Sequence, residues 1–334
     1  MYSKIWVHFL FFKFFEKKTI FIYVEINMNK KFLKSIISIA TGISVSTLIP
    51  FATTSCGCSS EGNKSLPNSG YDIDETTNVL KGFKEGIDLS KYDGICNTIQ
   101  IPARVTSIGN EAFLNNSKTT IPSFITKLTF AARSNCNSIG YISFAYNSSL
   151  TSITLPKNLR SIGEFAFAAC QELTSVKFPS SLESIGKHAF AMCLKLTSVN
   201  LSNRTNLSGV GEFAFNDCPS LSSIDLSNCT NLSGIGNGAF INCSALTSID
   251  LSKGTNLRII KVNAFGGCPN LSSIIWNTWT GSFDFLASDA FNGVCQTGGT
   301  VKVTNPTGGH DSAALLAHLK QNGGLPNTWQ VAED

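Results

Sequence analysis

The sequence predicts a strand-rich repeat solenoid, α/β-like, in which each turn of the chain adds one strand to a parallel sheet. Three observations carry this reading. First, a Phe recurs at Phe113, Phe144, Phe167, Phe190, Phe215, Phe240, Phe265 and Phe291, at intervals of 31, 23, 23, 25, 25, 25 and 26 residues. A sustained period of this length belongs to stacked units, not to a compact enzyme domain. Second, a short apolar-polar alternation returns in each unit: "LTSITLP", "LTSVKFP", "LTSVNLS", "LSSIDLS" and "LTSIDLS". Third, a Cys stands three residues after the Phe in five successive units, at Cys170, Cys193, Cys218, Cys243 and Cys268, with Cys295 one residue late.

Taken in order, the chain begins with residues 1–27, an aromatic stretch without helical or strand period. These residues read as an over-extended gene start or an extra leader. At Met28 the text changes: "MNKKFLK" is a short basic start, followed by the apolar "SIISIATGISVSTLIPFA" and a small-residue site, so residues 28–55 read as a secretory signal peptide. The tetrad Thr53-Thr54-Ser55-Cys56 resembles the lipobox of bacterial lipoproteins, departing from it at Thr53, where Leu is usual. The resemblance implies lipidation at Cys56 and a location on the outer face of the bacterial cell membrane, held by the lipid. Residues 56–75, polar and Ser/Asn/Gly-rich, then read as a flexible tether.

Residues 76–298 form the repeats. In the alternating segments, β-branched residues and Pro or Ser terminators mark short strands. Ile153/Leu155, Val176/Phe178, Val199/Leu201, Ile224/Leu226 and Ile249/Leu251 face inward, and stacking sets the strands about 4.8 Å apart. The return leg, Ile-Gly-x-x-Ala-Phe-x-x-Cys, is too short for a long helix. It predicts a single helical or 3₁₀ turn with Phe and Cys on one face. Ile162, Ile185, Val210 and Ile235 plug the same core, and Gly163, Gly186, Gly211 and Gly236 are expected where the chain turns. The 25-residue units carry "SNRTNLSG", "SNCTNLSG" and "SKGTNLRI", which predict a longer loop on one side. Residues 299–334 supply a cap: "GTVKVTNP" as a last strand, then an amphipathic helix N-capped by Asp311 or Ser312 and stopped by Gly323-Gly324. Ala314, Leu315 and Leu319 should lie over the last rung, with Trp276, Trp279 and Phe283 beneath the cap.

The stretch "LTSITLPKNLRSIGEFAFAACQELTSVKFP" resembles the BspA-like branch of the leucine-rich repeats, and the likeness recurs over roughly residues 95–295. It departs from the pattern at Asn115–Asn137 and in the aromatic unit at Leu271. The resemblance implies a right-handed coil with a parallel sheet on one face and short helical or 3₁₀ turns on the other. It also implies adhesion, to host matrix proteins or to neighbouring cells.

Chemistry other than binding finds little support. Residues 1–55 hold seven of the 26 Lys and Arg and two of the 22 Asp and Glu, leaving 19 against 20 beyond them. That balance gives no footprint for nucleic acid. No phosphate loop, metal motif or nucleophile elbow occurs, so no catalytic residue, metal or cofactor is expected. The Cys column reads as small core residues, since a catalytic Cys needs a nearby base and His188, at an "x" of "IGKHAF", is expected to be a solvated surface residue. Asp225 and Asp250 read as solvated acids on adjacent rungs. The candidate binding residues are the outward strand positions: Ser152, Thr154, Ser175, Lys177, Ser198, Asn200, Ser223, Asp225, Ser248 and Asp250. The expected partner is a macromolecule, protein or glycan, on host matrix or neighbouring cells. The alternative is a structural or antigenic coat module without a specific ligand.

Overall fold

The computed structural model describes residues 70–89, 97–114, 121–123, 125–252, 256–276, 283–304 and 311–332, and two short strands, His8–Phe9 and Ile22–Tyr23. Those two strands pair antiparallel inside the unit Met1–Gly57, in a stretch whose sequence shows no strand period. The signal segment at 28–55 and the lipidation site at Cys56 lie outside the described residues. The unit Cys58–Asp334 holds the solenoid.

Each rung contributes to two sheets, each of ten strands. The broader sheet runs Thr98–Ile101, Lys127–Phe130, Ser152–Thr154, Ser175–Lys177, Ser198–Asn200, Ser223–Asp225, Ser248–Leu251, Ser273–Trp276, Thr300–Val303 and Gln330–Val331, all parallel. Its period-2 pattern is the one foreseen: Ile153, Val176, Val199, Ile224 and Ile249 are buried. The second sheet is built of two-residue strands such as Ser161–Ile162, Ser184–Ile185, Gly209–Val210 and Gly234–Ile235. Its first residue points out and its second, Ile or Val, points in. Two residues are too few to show a period, so only the inward Ile was legible in the sequence. This sheet opens with the antiparallel pair Tyr71–Ile73 and Val79–Phe83. The fold therefore starts inside the stretch 56–75 expected as a tether: Tyr71 is buried and its hydroxyl donates to the Gln100 carbonyl at 3.0 Å.

The return leg is a run of tight turns. Alternate N–H groups reach the carbonyl three residues back, as Ala168 does to Phe165 at 3.1 Å. The others cross to the next rung: Phe165, Phe167 and Ala169 donate to Lys187, Ala189 and Ala191 at 2.8–2.9 Å. A left-handed residue every fourth position, such as Phe165 (φ 55°) and Ala169 (φ 57°), prevents a continuous helix. The leg is thus a third ladder between rungs.

The glycines open this leg for a reason other than the turn. Gly163, Gly186, Gly211 and Gly236 do not adopt positive φ. A Cβ on Gly186 would lie 2.7 Å from the carbonyl carbon of Gly163, and one on Gly211 2.7 Å from that of Gly186. From Gly140 to Gly236 glycine stacks on glycine because these rungs approach too closely for a Cβ, and the column passes to Lys261 and Ala287 only at its C-terminal end.

Along the axis runs a file of phenyl rings from Phe113 to Phe291. Successive centroids lie 5.1–5.4 Å apart with interplanar angles of 1–15°. One ring per rung, buried on both faces, supplies about 1.5–3 kcal/mol each through apolar burial. The C-terminal end closes with the helix Ser312–Asn322, whose Asp311 N-cap accepts from Ala314 N–H at 2.9 Å. Leu315, Leu316 and Leu319 are buried, as is Trp329, whose Nε1 donates to the Cys295 carbonyl at 3.0 Å. Trp276 is buried under Phe283, edge to face at 5.6 Å, and Phe283 meets His318 of the helix. Trp279 lies outside the described residues.

Candidate recognition surface

The outer face of the broad sheet carries two columns. Register places Ser152, Ser175, Ser198, Ser223 and Ser248 side by side on successive rungs. The second column places Thr154 beside Lys177, and Asn200, Asp225 and Asp250 in line. Thr154, Ser175, Lys177, Ser198, Asn200 and Ser223 are exposed; Ser152, Asp225, Ser248 and Asp250 are half-buried. All ten predicted residues therefore share one face.

Three of them also have local work. Asn200 Oδ1 accepts from Ser202 N–H at 3.0 Å, Asp225 Oδ1 from Ser227 N–H at 2.9 Å and Asp250 Oδ1 from Ser252 N–H at 2.8 Å. These are Asx turns. They close the longer loops of the 25-residue rungs, which accounts for the change from Lys177 to Asn and Asp at the point where the period lengthens. One oxygen of each side chain is thereby committed to the fold.

The Thr of "LTS" was not foreseen as functional, and it ties rungs together. Thr174 Oγ1 donates to the Thr151 carbonyl at 3.0 Å, Ser222 Oγ to that of Thr197 and Thr247 Oγ1 to that of Ser222, both at 3.1 Å. Charged pairs on the surface also bridge rungs, Arg160 to Glu183 at 3.0 Å and Lys195 to Glu172 at 2.6 Å. Being exposed, they contribute at most about 1 kcal/mol each.

The cysteines are core residues with a second role. Cys170, Cys193, Cys218, Cys243 and Cys268 are free, fully buried thiols. Each Sγ donates to the carbonyl of the preceding rung's Phe, as Cys218 does to Phe190 at 3.3 Å and Cys243 to Phe215 at 3.2 Å. At the head of the column Asn147 does the same with its amide, reaching Phe113 O at 2.7 Å. Burial pushes the Cys170, Cys218 and Cys268 thiols up to about 12, so they remain protonated at neutral pH. Among the described residues no group of three or more His, Cys, Asp or Glu is placed to hold a metal ion.

His188 corrects an expectation. It is 8% exposed, not solvated, and its ring lies between Phe165 and Phe213 at 4.6 and 5.0 Å. The signal was the column itself: Phe165 and Phe213 occupy the same repeat position as His188, and rings two residues before the axial Phe can stack outside it.

A family model described as the BspA type leucine rich repeat region matches residues 91–145 and 137–272, in six copies. The chain belongs to the BspA-type leucine-rich repeat family. Solved structures to which the chain is similar include a leucine rich repeat protein of T. pallidum, 22% identical, covering 62% of this chain and 91% of that one, with a TM-score of 0.49. Others are the pneumococcal vaccine antigen PcpA, 18% identical (79% of this chain, 83% of that one, TM-score 0.29) and a leucine rich cell surface protein of Faecalibacterium prausnitzii A2-165, 17% identical (78% and 98%, TM-score 0.27). No curated protein matches the chain. Membership of the BspA type points to a protein-binding or surface-antigen role, since leucine-rich repeats serve in general as binding scaffolds and not as enzymes. Among the described residues no helix is long and apolar enough to cross a membrane.

Proposed function

We propose that this BspA-type protein is a lipid-anchored surface adhesin: Cys56 carries the lipid, and the outer face of the broad sheet binds a macromolecule, protein or glycan, on host matrix or neighbouring cells. The observation that supports this reading is the pair of in-register columns on that face. Their side chains repeat every rung, at about 4.8 Å, six of them exposed and four half-buried. A regular array of polar groups suits a large partner engaged at many weak points.

The test is saturable binding of the purified chain to a panel of matrix proteins and glycans at physiological salt. The triple variant Lys177→Gln, Asp225→Asn, Asp250→Asn accompanies it. Asn keeps the oxygen that closes each turn, so the variant alters charge on the face without opening the loops. A tenfold or greater loss of affinity supports the reading. Unchanged affinity moves the site off the sheet face, and absence of any saturable partner leaves the coat role. For the anchor, fatty-acid label should enter the parent chain and be lost in Cys56→Ala; equal labelling of both refutes Cys56 as the acceptor.

A further inference from the structure

The interval between axial phenylalanines changes from 23 to 25 residues between Phe190 and Phe215. A solenoid must accommodate this step where a short rung meets a long one. On the loop side Arg204, in the first long loop, spans the step by donating to the carbonyls of Phe178 and Ser202. On the turn side the step is spanned by His188, on the return leg of the last short rung, stacked at interplanar angles of 9° on Phe165 of the leg before and 7° on Phe213 of the first long rung. All three residues are left-handed, with φ of 55, 53 and 54°. That conformation is costly for bulky side chains and persists only where neighbours enforce it. The ladder ends one rung later at Gly238, where any Cβ would come within 2.4 Å of Phe213 Cε1. The three rings therefore hold together the legs on either side of the step.

We propose that His188 is an acid-sensitive latch on the joint between the short and the long rungs, which loosens on the turn side when the imidazole takes up a proton on Nε2. The hydrogen-bond pattern fixes the tautomer. Asn216 gives its amide N–H to Asp217 Oδ2 at 2.9 Å, which turns its Oδ1 toward His188 Nδ1 at 3.4 Å. Nδ1 therefore carries the hydrogen of the neutral ring, and Nε2 is the basic atom. The phenyl rings exclude water from both faces of the imidazole. They attract a cation weakly, but they give Nε2–H no acceptor. The charged groups acting on the ring are Lys187 of its own leg, which opposes protonation, and Glu212 of the next leg, which favours it. Glu212 is already shared with Lys187 at 3.9 Å and Lys261 at 3.6 Å. Glu164 stands on the preceding leg, and Asp217, on the following one, is bonded to Asn216. Burial dominates this balance and holds the His188 imidazole down at about 4.

The folded form thus takes the proton less readily than the unfolded chain, where a histidine titrates near 6.5. The contribution of neutral His188 is fully present above pH 6.5 and is lost as pH falls from 6.5 toward 4. Within that window the opening constant should rise about tenfold per pH unit, on the order of 10²-fold over two units.

The experiment is an NMR pH titration of the imidazole Cε1–H resonances of the full chain, beside His188→Phe, with urea midpoints measured at pH 7, 5.5 and 4.5. The resonance missing from His188→Phe should titrate below pH 5, and the parent should lose stability relative to the variant between pH 6.5 and 4. Amide exchange at residues 188–192 and 213–217 should quicken before that of the other legs. A His188 resonance titrating at or above 6.5 overturns the proposal, as does a parallel loss of stability in both proteins. If His188→Phe does not fold, the parent's resonance decides alone, identified by the upfield shift from the two flanking rings.

Discussion

At the scale of the residue, the repeat positions owe their identity to hydrogen bonds between rungs as much as to packing. A buried carbonyl without a donor costs about 1–3 kcal/mol. The Cys column prevents that cost at the Phe190 and Phe215 carbonyls and adds a second donor at those of Phe144, Phe167 and Phe240, while filling a small apolar slot. Cys218→Ala should therefore lower stability by about 1–3 kcal/mol, read from the urea midpoint, because the Phe190 carbonyl loses its thiol donor. A loss below a few tenths would show that the thiol is only a space filler. The core character of these cysteines was legible in the sequence, from a slot three residues after the Phe. Their donor role was not, because the acceptor belongs to the preceding rung, 26 to 28 residues away in sequence. His188 was misread for the same reason. A single repeat shows a polar residue at an unassigned position, and only the superposed rungs show rings above and below it.

At the scale of the element, each rung has three legs, and the sequence announced them unequally. The broad-sheet strand alternates over four or more residues and was plain. The second strand has two residues and no alternation, so its sheet emerged only from the structure. The glycines were expected to serve the turn, but they serve the stacking. The two explanations predict different outcomes on substitution. Gly186→Ala places a methyl 2.7 Å from Gly163 backbone and should cost about 1–3 kcal/mol through overpacking. Gly209→Ala meets nothing closer than the Gly234 carbonyl oxygen at 3.4 Å and should be within about 0.5 kcal/mol of neutral. Thermal unfolding of the pair checks this. Equal costs would return the glycines to a purely conformational role.

At the scale of the whole solenoid, stability is a sum over rungs and the interfaces between them, so the ends matter disproportionately. Trp329 plugs the last rung and ties the chain end to Cys295. Trp329→Ala should speed amide exchange across Thr300–Val303 and the helix Ser312–Asn322 while exchange at Ser152–Thr154 and Ser175–Lys177 stays slow. Uniform acceleration along the chain would mean that the rungs unfold as one cooperative block. The ten outward residues were all readable from strand alternation and do share one face. What the sequence did not disclose was that Asn200, Asp225 and Asp250 also close the turns beside it.

The hydrogen bonds between rungs are given in both directions: Gly163 and Thr174 to the rung before, Phe165, Phe167 and Ala169 to the rung after. Among rungs of equal length, each interior unit consequently offers its two neighbours the same pair of mating surfaces. Removing one whole unit, or copying one, brings together faces that already match. The number of units can change by unequal recombination without any new interaction having to be invented. Each such event lengthens or shortens the solenoid by about 4.8 Å. The length of the sheet that such a molecule presents is therefore set in discrete steps, one rung at a time.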